Sequence, residues 1–258
     1  MRSVLCKSSN KRDKDISNAH PTILLGMLKH ITQKTQYAKL NRFPHLQRLV
    51  DNRDHYLRKI MQSYKTKGSG ESCSREQAKK LILARSNGQR VAHWCRGSNL
   101  TGLLHQDLID LFAELDLGRD IVVQSRPEVF QLAKDSGRER PELTAFSYIL
   151  CEQEDKALKI MTETAESLGG ITRGLCFDGF ICDWGDKSNE ETSRLDKIFH
   201  TKVEENLLEK MGYSIKILEK NWDEEEVDDS EEEMGDGLTL IADFEDGVAV
   251  SSSSQPSL

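Results

Sequence analysis

The sequence lacks the long apolar runs of membrane-spanning proteins. No stretch approaches the roughly 20 consecutive apolar residues that a helix needs to cross a bilayer. The first residues, MRSVLCKSSNKRDK, contain no apolar segment of the kind found in secretory signals. With 37% apolar and 31% charged residues, the composition is that of a globular protein. We therefore expect an intracellular protein, nuclear or cytoplasmic, with no membrane partner.

Paired cysteine motifs are also absent. The six cysteines are scattered, and no two of them form a Cys-x-x-Cys pair. This pattern indicates neither a zinc knuckle nor the disulfide framework of small secreted domains. We therefore expect reduced thiols.

Basic residues are missing from the last part of the chain. From Asp223 to Asp236 there are ten acidic residues and no base, and all 36 lysine and arginine residues precede this run. The whole chain has a formal charge of −7, but residues 1–222 hold only 30 of the 43 acidic residues and are near +6. We predict a domain over residues 1–222, followed by an acidic, mostly disordered tail or linker over residues 223–258. The basic balance of the domain permits nucleic-acid contact, and it also suits an ordinary domain surface.

Hydrophobic spacing predicts an α+β fold with a small antiparallel sheet. The sheet is expected to contain a hairpin from Ile171 to Trp184, with a tight Asp178-Gly179 turn, and a short strand from Tyr213 to Leu218. The predicted helices cover residues 21–35, 44–61, 75–85, 103–115, 118–133, 143–168 and 195–211.

The first segment that could carry chemistry is DKDISNAHP, which begins at Asp13. Here Asp15 ends a short extended stretch and a helix begins a few residues later. Such a junction can present a carboxylate and backbone amides to a metal-bound triphosphate. An Asp and an Asn before a helix also serve simply as a cap, so the segment is ambiguous alone.

The second segment is the helix that begins at Arg75 after the capping residue Ser74. Arg75 and Lys79 are four residues apart and lie on one helical face, and Leu83 and Asn87 continue the same line. This face could bind a triphosphate at one end and a base further along. A solvated basic helix would show the same pattern.

The third segment is GLCFDGFICD, in which Asp178 lies between two apolar strands. An aspartate at a hairpin tip can share a metal with a carboxylate that folding brings close. Phosphoryl transfer with two magnesium ions uses such a pair. Asp-Gly is also a common hairpin turn, which gives a purely structural alternative.

Together the three segments resemble the motifs of family A DNA polymerases, the bacterial polymerase I type. In that family one aspartate ends a strand of the palm, a fingers helix carries Arg-x-x-x-Lys, and a second aspartate lies in a palm hairpin. The resemblance implies a polymerase-like palm with helical fingers and Mg²⁺ as cofactor. It assigns two groups of site residues: the catalytic metal ligands Asp15 and Asp178, and the nucleotide-binding residues Arg75, Lys79, His20 and Asn87.

The likeness is closer to the divergent polymerase-like proteins of large DNA viruses and mobile elements. The segments DKDISNAHPTIL, AKKLILARSNGQRVAHW and FDGF carry it, and it covers roughly residues 11–222. In that group a primase or helicase portion often follows. No thumb region precedes Asp15, so the resemblance implies a fragment.

The leading hypothesis is a template-directed DNA polymerase core that uses a DNA template and primer and dNTPs. The main alternative is a catalytically inactive nucleic-acid-binding or interaction remnant of the same fold. It is favoured by Asn87, where the family has an aromatic residue, by Cys151 in place of a template-contacting glutamine, and by the missing thumb, whereas the retained Asp15, Lys79 and Asp178 favour the enzyme. A third possibility is a helical scaffold with an acidic tail for basic partners. The roles of Asp13 and Asp183 are open.

Overall fold

A computed structural model describes residues 10–33 and 43–220 of the chain. Within these ranges the protein is α+β, with nine helices and two small antiparallel sheets. The predicted tail over residues 223–258 lies outside the described residues. The helices are α1 (Ala19–Gln33), α2 (Pro44–Asp51), α3 (Arg53–Ser63), α4 (Arg75–Ser86), α5 (Val91–Gly97), α6 (Gln106–Gln124), α7 (Pro127–Asp135), α8 (Pro141–Ser167) and α9 (Asn189–Met211). The strands are β1 (Lys11–Ile16), β2 (Tyr64–Thr66), β3 (Leu100–Gly102), β4 (Ile171–Cys176), β5 (Gly179–Asp183) and β6 (Ile217–Lys220).

The larger sheet has the strand order β4-β5-β1-β6, and every neighbouring pair is antiparallel. Strand β1 is therefore central, although it is the most charged of the four strands. Side chains alternate along a strand, so Asp13 and Asp15 face one side of the sheet while Arg12 and Lys14 face the other. We call these the aspartate face and the lysine face.

A buried ion network occupies the lysine face. The Lys14 side chain is fully buried, and its Nζ donates to Glu219 Oε2 at 2.6 Å and lies 3.0 Å from Asp196 Oδ1. His200 Nε2 is 3.4 Å from the same ammonium group. The network therefore connects β1 to α9 and to β6.

Two further donors complete this network. Arg12 Nε lies 3.0 Å from Asp196 Oδ2 and 3.1 Å from Glu219 Oε1. Trp184 Nε1 donates to Asp196 Oδ1 at 2.8 Å. Both carboxylates are thus shared between two cations, which is the arrangement that buried charges need.

Apolar packing surrounds the network. Helix α8 packs against β4 and β5, and α9 packs against α8. The rings of Phe180 on β5 and Phe199 on α9 meet edge-on, with centroids 6.1 Å apart. In the helical part, α1 packs against α2, α6 and α8. Helix α8 therefore contacts both the larger sheet and the other helices.

Several helix boundaries differ from the prediction, and α9 begins at Asn189, six residues before its predicted start at residue 195. The helix expected over 44–61 is broken at Asn52, whose side chain accepts a hydrogen bond from His55 N and so begins a new helix. The break expected between residues 115 and 118 is absent, and α6 runs through Gly118. A Cβ on this glycine would lie 2.8 Å from Leu28 Cδ1, so the glycine permits close packing against α1. The chain breaks instead before Pro127, which restricts the residue that precedes it.

The strands also differ in part from the prediction. The hairpin formed by β4 and β5 is confirmed, but the strand expected over 213–218 is found at Ile217–Lys220. Helix α5 and the β2–β3 pair were not predicted. Over the ranges that the structure describes, no helix is both long enough and apolar enough to span a membrane.

We expect Lys14→Met to lower the free energy of unfolding by about 3–5 kcal/mol, because it removes a fully buried cation from the buried carboxylate of Asp196 and from the more exposed carboxylate of Glu219. Lys11→Met, at the start of the same strand, should change it by less than about 0.5 kcal/mol. Urea unfolding of the two variants measures the difference. Equal stabilities would show that the network does not stabilise the fold.

Acidification should weaken the same region. Burial, and next the charge of Lys14, lower the pKa of His200 below its ordinary 6.5. The fold therefore favours the neutral imidazole, and its stability is complete above pH 6.5 and falls as the pH drops below that value, where the unfolded chain takes up a proton that the folded chain resists. We expect unfolding free energies measured from pH 7.5 to 5.5 to fall less steeply in His200→Gln than in the wild-type protein. Parallel curves would contradict this.

Candidate functional site

The corner between β1 and α1 presents Asp15. Asp15 is the penultimate residue of β1 and is 5% exposed, and α1 begins at Ala19. Between them Asn18 adopts a left-handed conformation with φ of 47°. Its carbonyl accepts a hydrogen bond from Thr22 N at 3.0 Å. The predicted strand-to-helix junction is therefore confirmed. The hydrogen bond from Thr22 N to Asn18 O joins the loop between β1 and α1 to the start of the helix.

The hairpin between β4 and β5 presents Asp178. Cys176 pairs with Gly179, so the turn consists of Phe177 and Asp178. Phe177 has φ of 48°, and its side chain is 90% exposed. The predicted Asp178-Gly179 turn is wrong by one residue, because Gly179 is already the first residue of β5.

The two corners meet at one end of the sheet. Ile16 N donates a hydrogen bond to Asp178 O at 3.0 Å, and Asp15 lies directly opposite Gly179 in the β1–β5 ladder. A Cβ on Gly179 would lie 2.5 Å from Asp15 Oδ1. The glycine thus leaves the room that the Asp15 carboxylate occupies, and the backbones that carry Asp15 and Asp178 are in direct contact.

The other two aspartates lie further along the sheet. Asp13 is fully buried and shares the aspartate face with Asp15. Asp183 pairs with Lys11 at the opposite end of β1, about 13 Å from Asp15 at the usual rise per residue. Burial opposes its ionisation, but hydrogen bonds from Gly185 N and Arg173 Nε outweigh this effect and hold its pKa below the ordinary range. Asp183 therefore makes structural hydrogen bonds at the end of the hairpin that is far from Asp15.

Helix α4 carries the predicted nucleotide-binding face. Ser74 and Gln77 form a reciprocal capping box at its start, as the sequence indicated. Arg75 Nη2 lies 2.8 Å from Asp54 Oδ1, and Lys79 Nζ lies 2.6 Å from Glu76 Oε1. Both pairs are exposed to solvent to a large extent.

The same face continues to the end of α4. Leu83 is 42% exposed, and the exposed residue Asn87 ends the helix. The helix packs its other side against α3, α5 and α6. A second group of predicted site residues therefore lies along α4, away from the larger sheet in sequence: Arg75, Lys79 and Asn87.

His20 lies in the first turn of α1, five residues after Asp15. Its Nε2 is 3.6 Å from Glu154 Oε2 on α8, so the two side chains form an ion pair when His20 is protonated. His20 is partly exposed. It therefore belongs to the group around Asp15.

Arg53 is a residue that the sequence analysis did not single out. It is the first residue of α3, and its Nη1 donates to Asn18 Oδ1 at 3.3 Å. The charge of Arg75 acts on it, so Arg53 is near both groups. A helix predicted as continuous over 44–61 hid this position, and the capping signal of Asn52 was the clue that could have revealed it.

We call the end of the sheet where Asp15 and Asp178 meet the aspartate corner. Its oxygen ligands suit a hard divalent cation. Magnesium is usually held by one or two carboxylates and completes its shell with water and substrate phosphate oxygens. Asp15 and Asp178 supply two carboxylates. Over residues 10–33 and 43–220, no group of three or more His, Cys, Asp or Glu side chains is arranged to hold a metal ion by itself.

Comparison with known proteins gives no family for this chain. No protein-family model matches it, and no curated protein matches it. The resemblance to polymerases therefore rests on the residues themselves and stays a prediction.

We expect Gly179→Ala to destabilise the protein by about 1–3 kcal/mol, because the new methyl group would meet Asp15 and the backbone of Lys14. Gly174→Ala is the matched control: it lies on the neighbouring strand β4, and its Cβ would point into open space. That variant should stay within about 0.5 kcal/mol of the wild type. Thermal unfolding of both variants checks the close approach, and equal shifts would contradict it.

Proposed function

We propose that the protein is a divalent-metal-dependent nucleotidyl transferase that extends a DNA primer on a template. The observation that carries this proposal is the contact between the two corners, which brings Asp15 and Asp178 to one end of the sheet. Two-metal phosphoryl transfer requires carboxylates that hold both ions, and Asp15 and Asp178 can supply them although they are far apart in sequence. Neither corner would suggest this chemistry without the other.

Asp15 and Asp178 would hold the metal ions, with Mg²⁺ as the expected cofactor. When bound, such ions neutralise the charge that develops on the transferred phosphoryl group and activate the attacking oxygen. The contribution of the protein is to hold the two carboxylates in place. The hydrogen bond from Ile16 N to Asp178 O and the absence of a side chain at Gly179 supply this positioning.

Arg75 and Lys79 would bind the phosphates of the incoming dNTP. In the free protein each is paired with a neighbouring carboxylate, Asp54 or Glu76, at the surface. Exposed ion pairs contribute little to stability, so a triphosphate can replace them at small cost. His20 would lie near the sugar, because it follows Asp15 within the first turn of α1, and Asn87 would lie at the base end of the α4 face.

A second candidate function is nucleic-acid binding without catalysis. The exposed face of α4 offers Leu83 and Asn87 where an aromatic ring would stack on a base. Stacking on an aromatic ring contributes about 1–3 kcal/mol per base, so its loss weakens the binding of a nucleotide. The formal charge near +6 over residues 1–222 suits either function.

Incorporation of labelled dNTPs on a primed DNA template tests the proposal. We expect incorporation that requires Mg²⁺ and that falls about a hundredfold or more in Asp178→Asn and in Asp15→Asn, because each variant removes a charged metal ligand. Asp186→Asn is the control: Asp186 is exposed and lies beyond the other end of β5, so its rate should equal that of the wild type.

Equal losses in Asp178→Asn and Asp186→Asn, or incorporation without a divalent metal, would overturn the proposed chemistry. A wild-type protein that binds primed DNA but incorporates no nucleotide would support the second candidate function. A gel-shift measurement on the same DNA separates these outcomes.

A further inference from the structure

Arg53 lies beside the corner that carries Asp15. Its Nη1 donates to the side chain of Asn18, the left-handed residue three positions after Asp15. Asn18 Nδ2 in turn donates to Val50 O at 3.4 Å, near the end of α2. The Arg53 side chain therefore lies next to the β1–α1 turn. Through Asn18, this turn is linked to the start of α3 and to the end of α2.

The guanidinium group of Arg53 lacks an anionic partner in the part of the chain that the structure describes. Its Nε is buried and has no hydrogen-bond partner there. The nearest carboxylate in sequence, Asp54, is paired with Arg75, and Glu76 is paired with Lys79. Three cations thus share two carboxylates, which leaves an excess of one positive charge at this position.

Burial adds to this excess. Burial, and next the like charge of Arg75, lower the pKa of Arg53, whereas Asp54 and Glu76 act in the opposite direction to a smaller extent. A half-buried guanidinium with an unpaired N–H and a like-charged neighbour gains most from an anion with several acceptor oxygens. Its planar fork matches a phosphate group.

We infer that Arg53, together with Arg75, binds a phosphate group of the incoming nucleotide. The nature of the ligand rests on the proposed function, while the position of the anion rests on the hydrogen bond of Arg53 to Asn18 and on the nearby charge of Arg75. The phosphate would lie between the aspartate corner and the start of α4. Arg53 would thus join the two groups of site residues into one nucleotide site.

Binding of dATP, dAMP and deoxyadenosine to the full chain in EDTA tests this inference by calorimetry. We expect the wild type to bind dATP more tightly than deoxyadenosine, and Arg53→Gln to weaken dATP binding about tenfold to a hundredfold while deoxyadenosine binding stays the same. Arg53→Lys should lie between the two, because it keeps the charge and loses the fork. Arg58→Gln, an exposed arginine on the same helix, should bind like the wild type.

Several outcomes would overturn the inference. One is a wild-type protein that does not distinguish dATP from deoxyadenosine. Another is an Arg53→Gln protein that loses affinity for both ligands equally, which would indicate a structural role; its melting temperature identifies a folding defect. A third is weaker binding of primed DNA with unchanged binding of dATP, because the phosphate would then belong to the nucleic-acid backbone.

The failure of this inference is distinguishable from the failure of the proposed function. If Asp178→Asn abolishes incorporation but Arg53→Gln binds dATP normally, the transferase stands and the role of Arg53 does not. If the protein incorporates nothing but its affinity for dATP depends on Arg53, the nucleotide site stands without the reaction.

Discussion

The buried ammonium group of Lys14 is the interaction on which the larger sheet depends. It joins β1 to Asp196 and His200 on α9 and to Glu219 on β6, elements that lie some 180 to 205 positions further along the chain. A buried charge without partners is very costly, so these contacts must form together when the sheet forms. Once Lys14 faces α9, the alternation of the strand turns Asp13 and Asp15 to the other side. The site is thus a consequence of the packing on the opposite face.

Backbone strain is concentrated at the two corners. Among the described residues other than glycine, only Asn18, Asn99 and Phe177 have positive φ, and two of these three flank Asp15 and Asp178. Asparagine tolerates this conformation, but phenylalanine rarely adopts it. The Phe177 ring is 90% exposed, so it gains little from apolar burial that could offset the strain. The hydrogen bonds of the β4–β5 ladder must therefore stabilise the turn. Strain of this kind is typical of sites where geometry matters more than local stability.

The sequence predicted the elements whose signals are local. The capping box at Ser74 and the apolar spacing of α8 located those helices to within a few residues. The hairpin turn was placed one residue late, because the preference of Asp-Gly for a turn was outweighed by the need for a glycine opposite Asp15. The Asn52 cap could have placed Arg53 at the start of a helix, but its neighbours Asn18 and Arg75 could not be predicted, because both are more than 20 positions away in sequence. Contacts of this kind are set by tertiary packing and leave no periodic pattern.

The ionic character of the lysine face has a consequence that apolar packing would not have. A slip of β1 by one residue would exchange its two faces. Asp13 and Asp15 would then face Asp196 and Glu219, and four carboxylates would lie together without the ammonium group of Lys14. With an apolar residue at position 14, the slip would cost much less free energy, because it would lose only the burial of apolar surface and no ion pair. The network therefore selects one register of β1, and that register is the one that sets Asp15 opposite Gly179 and beside the turn of Asp178.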